Sequence, residues 1–358
     1  MGLGVEVFRF GDLNSTHLDD WFGILESNPG LKSPYFHPAY MESCVRAGRE
    51  VCVSVIDSDY ARSFFPFELI SKKIAGPVGS VMSDFHGIIC ETGSSYRLFD
   101  IVKLSGLDMY AYDHFLSTQD VTLSNGIIQN SPVIEIEHGY QAYVEDKKRA
   151  KSKLFKKINQ YKNRIENKVG PLDYIHDCTD INLLHELIRL KSDQYKRTEV
   201  IDIFKYGWPG KILEQIFRQK EPDFNGKLSC LMAGGRLLSL HFGMQTNRCF
   251  HYWFPAYSVE YSSFSPGIVM LDYITRSVTD EGIKKIDLGK GDNLYKERFS
   301  NASTELCQGD EIVSVKTRLS LEIKNRSRDA VRQSRVLGVL SAPIRVMTRS
   351  YRLRKKYR

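Results

Sequence analysis

Chemistry-bearing side chains concentrate between residues 241 and 296. His241 stands in the strand-like run SLHFGM, in parity with Ser239 and Gly243 and opposite Leu238, Leu240, Phe242 and Met244. Strand alternation sends those two sets to opposite faces. An imidazole on the smaller, more polar face can take a proton as general base; the other reading is a hydrogen-bonded structural histidine. Further on, DLGKGDNLYKERF gathers Asp287, Asp292, Tyr295 and Lys296 around two glycines. Charged groups at the carboxyl end of a strand, beside glycines that allow close backbone approach, line ligand crevices in α/β sheets. A solvated turn holding a Lys–Asp pair uses the same residue types. The third feature is Ser265-Pro266-Gly267. The first N–H groups of a helix starting there lack intrahelical partners and carry the positive dipole end, which suits a pyrophosphate. Plain strand-to-helix punctuation is the alternative. Tyr252, in a central strand, either fills the core or presents its hydroxyl to a substrate.

Other chemistries lack their residues. Gly289 and Gly291 start a dinucleotide fingerprint, but Leu294 stands where the third glycine belongs, and no P-loop pattern occurs. No His/Cys/Glu spacing suggests a catalytic metal, and no G-x-S-x-G elbow is present. The seven cysteines are scattered singly, which argues against a disulfide framework or zinc site and fits a reducing interior.

These residues need a scaffold. Lys227–Met232, Arg236–Met244 and Cys249–Ala256 read as a β-meander joined at Gly234-Gly235 and at 245–247. Ser265 is expected to cap a helix with Ile268, Leu271, Ile274 and Val278 on one face, and Gly282 to close it. Lys284–Leu288 is a further strand. Strands, helix and strand in this order predict an α/β layer with a mixed sheet. Upstream, Val51–Ile56, Phe64–Ile70 and Val133–Glu137 read as strands, and Tyr96–Leu104 and Ala111–Leu116 as short helices. Leu154, Ile158, Tyr161 and Ile165 lay an apolar stripe along one cationic helix spanning about 144–167, which Gly170-Pro171 stops. Ile181–Gln194 and Pro209–Gln219 complete the helices.

At 358 residues the chain has room for two domains, and 42% apolar with 26% charged residues is enough for a real core. The net charge of +7 is unevenly spread. Residues 313–358 hold fourteen bases against Glu322 and Asp329, and 145–168 hold ten bases against three acids, so the rest is acidic. Met1–Phe10 lacks the pattern of a signal peptide, and no run of apolar residues is long enough to span a bilayer. The expectation is a cytoplasmic protein.

The run from Tyr261-x4-Pro266-Gly267 through Gly282 to Asp287-x-Gly289-x-Gly291-Asp292-x2-Tyr295-Lys296-x-Arg298-Phe299 resembles the CelD/BcsL acyltransferases, distant relatives of FemAB in the GNAT superfamily. Pro66-Phe67, Gly76-Pro77, Ser83-Asp84-Phe85-His86-Gly87 and Lys191-Ser192-x-Gln194-Tyr195-x-Arg197-Thr198 agree with it, so the resemblance covers roughly 5–312. It implies an α/β (α+β) chain of two tandem GNAT-like domains, each a mixed, mostly antiparallel sheet flanked by helices: an acceptor-side domain at 1–140 and an acyltransferase domain at 141–312. A basic helical tail at 313–358 follows. It also implies transfer from acetyl-CoA or another acyl-CoA, without a metal, to a glycan or sugar-linked acceptor. On that footing Ser265, Pro266 and Gly267 hold the pyrophosphate and a strand amide within 249–256 polarises the thioester. His241 is the leading base with Asp287 and Asp292 as rivals, Tyr295 is the acid, and Lys296 neutralises phosphate or acceptor charge. Asp84, His86 and Tyr252 are substrate candidates, the first two for an acceptor cleft between the domains. One departure is visible: Tyr261–Gly267 contains a single glycine where such pyrophosphate loops are richer.

Two other readings compete. FemAB-like aminoacyl transfer from charged tRNA would put the basic segments on RNA phosphates, but these carry few aromatics for base stacking, which argues against nucleic acid. A degenerate fold serving as scaffold in a polysaccharide-assembly complex is the non-catalytic reading. In the tail, Leu337, Leu340, Ile344, Met347, Tyr351 and Leu353 interleave with arginines, a pattern suited to peripheral contact with an anionic membrane or a partner protein.

Overall fold

Runs of β-branched and aromatic residues form strands here wherever turn residues bracket them. In chain order the elements are β1 (Gly4–Arg9), α1 (Ser15–Ser27), α2 (Pro38–Arg46), β2 (Val51–Asp57), β3 (Arg62–Ser71), β4 (Ile74–Gly76), β5 (Tyr96–Arg97), α3 (Leu98–Leu104), β6 (Met109–Leu116), β7 (Val121–Thr122) and β8 (Ile127–Glu135). There follow α4 (Gly139–Arg149), α5 (Leu154–Lys168), β9 (Leu172–Ile175), α6 (Ile181–Arg197), α7 (Trp208–Arg218), β10 (Lys220–Glu221), β11 (Phe224–Ala233), β12 (Arg236–Thr246), β13 (Phe250–Tyr257), α8 (Pro266–Asp280), β14 (Lys285–Asp287), α9 (Leu294–Phe299) and β15 (Ala302–Ile312). The computed structural model describes residues 3–58, 61–117, 120–291, 293–321 and 323. Asp292 and most of the basic tail, with the contacts expected of it, lie outside the described residues.

The chain divides into two compact units: 3–28, 49–128 and 307 onward form the first, 29–48 and 129–306 the second. In the first, β1 pairs antiparallel with β2, β2 with β3, β3 with β4, and β4 pairs parallel with β6. The second repeats this scheme. There β9 pairs antiparallel with β11, β11 with β12, β12 with β13, and β13 pairs parallel with β14. A helix, α3 or α8, carries the chain between the two parallel strands of each unit, as parallel neighbours require. Each unit is a mixed, mostly antiparallel sheet with helices, the class expected from the sequence.

The units exchange segments, which a boundary at 140 does not anticipate. Residues 29–48 precede β2 in the chain yet belong to the second unit, where α2 packs on α7. Tyr35, Phe36, Tyr40 and Met41 are almost wholly buried there, and the His37 ring stacks on Phe224 at 5.1 Å. Burying that much aromatic surface holds the segment in place.

Two local expectations are corrected. Ala111–Leu116 belongs to strand β6, whose Tyr110, Tyr112 and His114 are buried in alternation; a window opening at 111 hides that period. The cationic helix is two helices, α4 and α5, broken at Lys151 with φ 57°. Residues 145–153 carry no large apolar side chain to hold a continuous stripe, while Tyr143 and Val144 before them and Leu154 and Phe155 after them are buried. The stop at Gly170 has a tertiary cause as well: a Cβ there would lie 2.7 Å from the Cα of Gly234 in the β11–β12 turn.

In the second unit α4, α5 and α8 share one core with β13, including Ile158, Ile165, Phe250, Tyr252, Leu271, Ile274 and Val278. The buried Asp272 of α8 ties them together, accepting hydrogen bonds from Tyr140 Oη (2.6 Å) and Lys162 Nζ (2.7 Å). Lys162 also lies over the Tyr273 ring at 4.1 Å. Among the described residues no helix is long and apolar enough to cross a membrane.

Candidate active site

Strands β13 and β14 run parallel but pair only at Phe250–Ile286 and His251–Asp287. β14 then ends, while β13 continues to Tyr257. Along 252–257 no described strand lies against that edge of β13, so the pairing stops there and leaves an opening in the sheet while the longer strand runs on. On the other side β13 is kinked against β12 by a register shift between Phe242 and Met244. Only glycine fits the kink, because a Cβ on Gly243 would stand 2.6 Å from the carbonyl oxygen of His251.

Helix α8 starts beyond the open end of β13. Contrary to expectation, the Ser265 hydroxyl does not cap it. Ser265 has φ 55° and ψ 48°, and this left-handed backbone turns the side chain away from the first-turn amides that an extended N-cap would reach. Its carbonyl instead accepts from the N–H of Ile268 (3.1 Å) and Val269 (3.4 Å). Pro266 has no N–H, so Gly267 offers the first donor of the helix. A cleft of about 150 Å³ lies beside this turn, lined among others by Lys153, Lys157, Tyr161, Ile268 and Arg298. Three cationic side chains and the positive end of a helix therefore sit in one place.

At the carboxyl end of β14, Asp287 is 1% exposed. Its Oδ1 accepts from Ser131 Oγ (2.9 Å) and from the N–H of Gly289 (2.7 Å), with His251 Nδ1 at 3.6 Å. Its Oδ2 has no hydrogen-bond partner among the described residues. The Gly289 carbonyl, together with that of Lys290, accepts from Lys296 Nζ at 2.9 Å. Asp287 and Lys296 thus share one turn, as the glycine spacing suggests. Tyr295 packs against the core, and burial pushes its phenol up to about 12. Tyr252 is a core residue whose phenol is pushed well above the usual range by burial and by nearby Tyr295 and Tyr174.

The structure places His241 inside the protein and not on an open face. It is 0% exposed, its ring stacks on Tyr252 at 4.0 Å, and neither ring nitrogen has a hydrogen-bond partner among the described residues. Burial, and then the neighbouring His176, His251 and Lys191, holds its pKa well below 6.5. Stacked on Tyr252 within the core of the sheet, this imidazole is placed to pack, whereas Asp287 stands where β14 ends and the chain turns. The alternation argument fails because β12 is covered on both faces, Leu238 to Gln245 being buried without a break.

Asp84 and His86 belong to the first unit. His86 Nε2 accepts from the backbone N–H of Asp113 (3.2 Å) and His114 (2.9 Å), and Asp84 lies 3.7 Å from His114 Nε2. These contacts brace β6 within that unit. Among the described residues no group of His, Cys, Asp and Glu could hold a metal ion.

Three participants were missed by sequence reasoning: Ser131, His251 and Lys191. His251 matters through its register with Asp287, which no local pattern reveals. Lys191 did leave a signal, because Leu184, Leu187 and Lys191 share the buried stripe of α6 and a lysine occupies what should be a core position.

Residues 152–297 match the family model of the acetyltransferase (GNAT) domain. No curated protein matches the sequence closely enough to count as a relative. Among solved structures, FemX is similar over 86% of this chain and 97% of its own, at 10% identity with a TM-score of 0.55. The C-terminal domain (DUF2156) of a candidate lysylphosphatidylglycerol synthetase from Agrobacterium fabrum covers 87% of this chain and 96% of its own, at 11% identity and a TM-score of 0.49. A tandem GNAT protein from the clavulanic acid biosynthesis pathway covers 87% and 100%, at 6% identity and a TM-score of 0.49. The match to the GNAT domain model lies within the second unit and spans less than half of the chain, and the likeness to FemX is one of fold.

Proposed function

We propose that the second unit transfers an acyl group, acetyl in the simplest case, from an acyl-CoA to a hydroxyl or amine of a sugar or cell-envelope glycan precursor. The observation that carries this reading is the opening between β13 and β14. An unpaired strand edge suits a donor arm that carries amides of its own, since both can exchange backbone-type hydrogen bonds. Gly267 N–H and the cleft with Lys153, Lys157 and Arg298 supply donors and positive charge for the donor's phosphates. The glycan acceptor rests on the resemblance to the CelD/BcsL acyltransferases.

In this reading the acceptor heteroatom bonds to the acyl carbon while the carbon–sulfur bond breaks. Asp287 Oδ2, without a hydrogen-bond partner, receives the proton of the acceptor. Tyr295, kept protonated by burial, donates a hydrogen bond to the departing thiolate, which takes its proton from solvent on leaving, while Asp287 returns the acceptor's proton to solvent. Lys296 holds the 289–290 turn in place beneath them. His241 has no part in the proton transfer.

The test is calorimetric titration with acetyl-CoA, followed by detection of released thiol in the presence of sugar and glycan-precursor acceptors. Binding, with acceptor-dependent thiol release, is expected. Absence of CoA binding refutes the reading and turns attention to charged RNA as donor.

A further inference from the structure

The sheet of the first unit also opens between parallel strands. β4 and β6 pair only at Ile74–Met109 and Ala75–Tyr110. β4 ends at Gly76 while β6 runs on to Leu116, and the chain that leaves β4 next meets β6 at the bridge between His86 and Phe115. A cavity of about 370 Å³ lies there, bordered by Ser80, by Ala111 and Asp113 of β6, and by Asp310 of β15. Small-ligand sites run from about 300 to 1,000 Å³. Ser80 is 6% exposed, yet its hydroxyl has no hydrogen-bond partner among the described residues. Its backbone is left-handed, with φ 49°, a conformation that glycine adopts without strain. A glycine there would also bury no hydroxyl. The serine therefore costs the fold twice, and its hydroxyl is explained by a partner that arrives through the cavity. The Asp310 carboxylate likewise makes no hydrogen bond or ion pair among the described residues. Asp113 is already engaged, its Oδ1 lying 3.0 Å from His114 Nδ1. None of the described lining residues is basic, and Ile70 and Ile127 add apolar surface. A seat with a hydroxyl, an unpaired carboxylate and no cation rejects phosphates and suits a ligand that donates hydrogen bonds and carries positive charge.

We infer that this cavity of the first unit seats a cationic amino sugar of hexosamine size, with its ammonium on Asp310 and a ring hydroxyl on Ser80. The aliphatic face of the ring lies against Ile70 and Ile127. The seat does not depend on the acyl-transfer reading, and it shares no residue with the opening between β13 and β14 or with the cationic cleft beside α8. The two units thus present opposite charge near a like break in the sheet.

The probe is glucosamine, titrated calorimetrically into the full chain without CoA, beside N-acetylglucosamine and glucose 6-phosphate. Glucosamine should bind. N-acetylglucosamine, the same ring without the charge, should bind about tenfold more weakly, and glucose 6-phosphate should not bind. Asp310→Asn should weaken glucosamine about tenfold or more, and Ser80→Ala about threefold to tenfold. Neither side chain makes a hydrogen bond among the described residues, so both variants should melt with the wild type. Ser80→Gly, free of the backbone strain, should bind as poorly as Ser80→Ala, so a folding defect in one leaves the other to decide. Glu6→Gln makes the same change of charge at an exposed position of β1 and should leave the affinity within about twofold. Absence of glucosamine binding overturns the seat. So does N-acetylglucosamine binding as tightly, or undiminished affinity in Asp310→Asn and both Ser80 variants. CoA binding is titrated separately in the same preparations; its absence refutes the acyl-transfer reading alone and leaves the result on the seat standing.

Discussion

Replacing His241 with leucine separates packing from catalysis. The imidazole is sealed in the core, and its two nitrogens make no hydrogen bond among the described residues. A buried polar group without a partner costs about 1–3 kcal/mol, whereas the ring stacking on Tyr252 contributes about 0.5–1.5 kcal/mol. Leucine has nearly the same volume, so the variant should be more stable than wild type near pH 7.5, by about 1 kcal/mol or more. The pH dependence gives a sharper number. Native His241 has its pKa well below 6.5, while the unfolded chain titrates near 6.5. Below that pH the unfolded state binds a proton that the native state refuses, so wild type loses stability as the pH falls. One group contributes about 1.36 kcal/mol per pH unit, or about 1.4 kcal/mol between pH 7.5 and 5.5. His37 and His176 are shifted the same way by burial and titrate in both proteins, so the difference isolates His241. Urea unfolding at the two pH values should show the variant's advantage widening by about 1.4 kcal/mol at the lower one. Acyl transfer at pH 7.5 should stay within a few-fold of wild type. A general base would cost about 10²–10⁴ in turnover, so a hundredfold loss, or an advantage that does not widen, refutes the packing assignment.

Two further substitutions probe what shapes the site. Gly243→Ala drives a Cβ to 2.6 Å from the His251 carbonyl, so the kink must relax at a cost of about 2–4 kcal/mol; chemical denaturation measures this, and calorimetry should show weakened CoA binding. Asp272→Asn removes the charge that Lys162 and Tyr140 meet and should cost about 2–3 kcal/mol, below the value for a fully buried pair because Lys162 is partly exposed; unfolding at neutral pH checks it, and an unchanged midpoint would show that α8 is held by packing alone.

The parts of the second unit governed by local rules were legible in the sequence. Period-two runs and paired glycines marked β11, β12 and β13, and Pro266 and Gly282 bracketed α8. The turn around Gly289 came from spacing alone. What escaped depends on neighbours distant in the chain. His241 looked half-exposed because alternation describes a strand covered on one face, and β12 is covered on both. Lys191 entered only through the motif it shares with the resemblance, and its burial went unread because it is set by the packing of α6 on β12 and β13. The attachment of 29–48 to α7 was invisible because no local pattern tells a helix which sheet it will cover.

That exchange of segments bears on how the chain is made. The first unit receives its last pieces late: Cys307 fills its core, and the buried Glu311 accepts hydrogen bonds from the N–H and hydroxyl of Ser124, 187 residues earlier. At about 5–20 residues per second a ribosome needs roughly 10–40 s to bridge that interval. Through it the nascent first unit lacks part of its core and keeps the Ser124 hydroxyl and amide without their carboxylate. The second unit meanwhile can gather 29–48, already emerged, as soon as α7 appears. The unit that begins second in the chain is the one able to finish first, and a chaperone holding the nascent chain would find its longest-lived client surface on the N-terminal one.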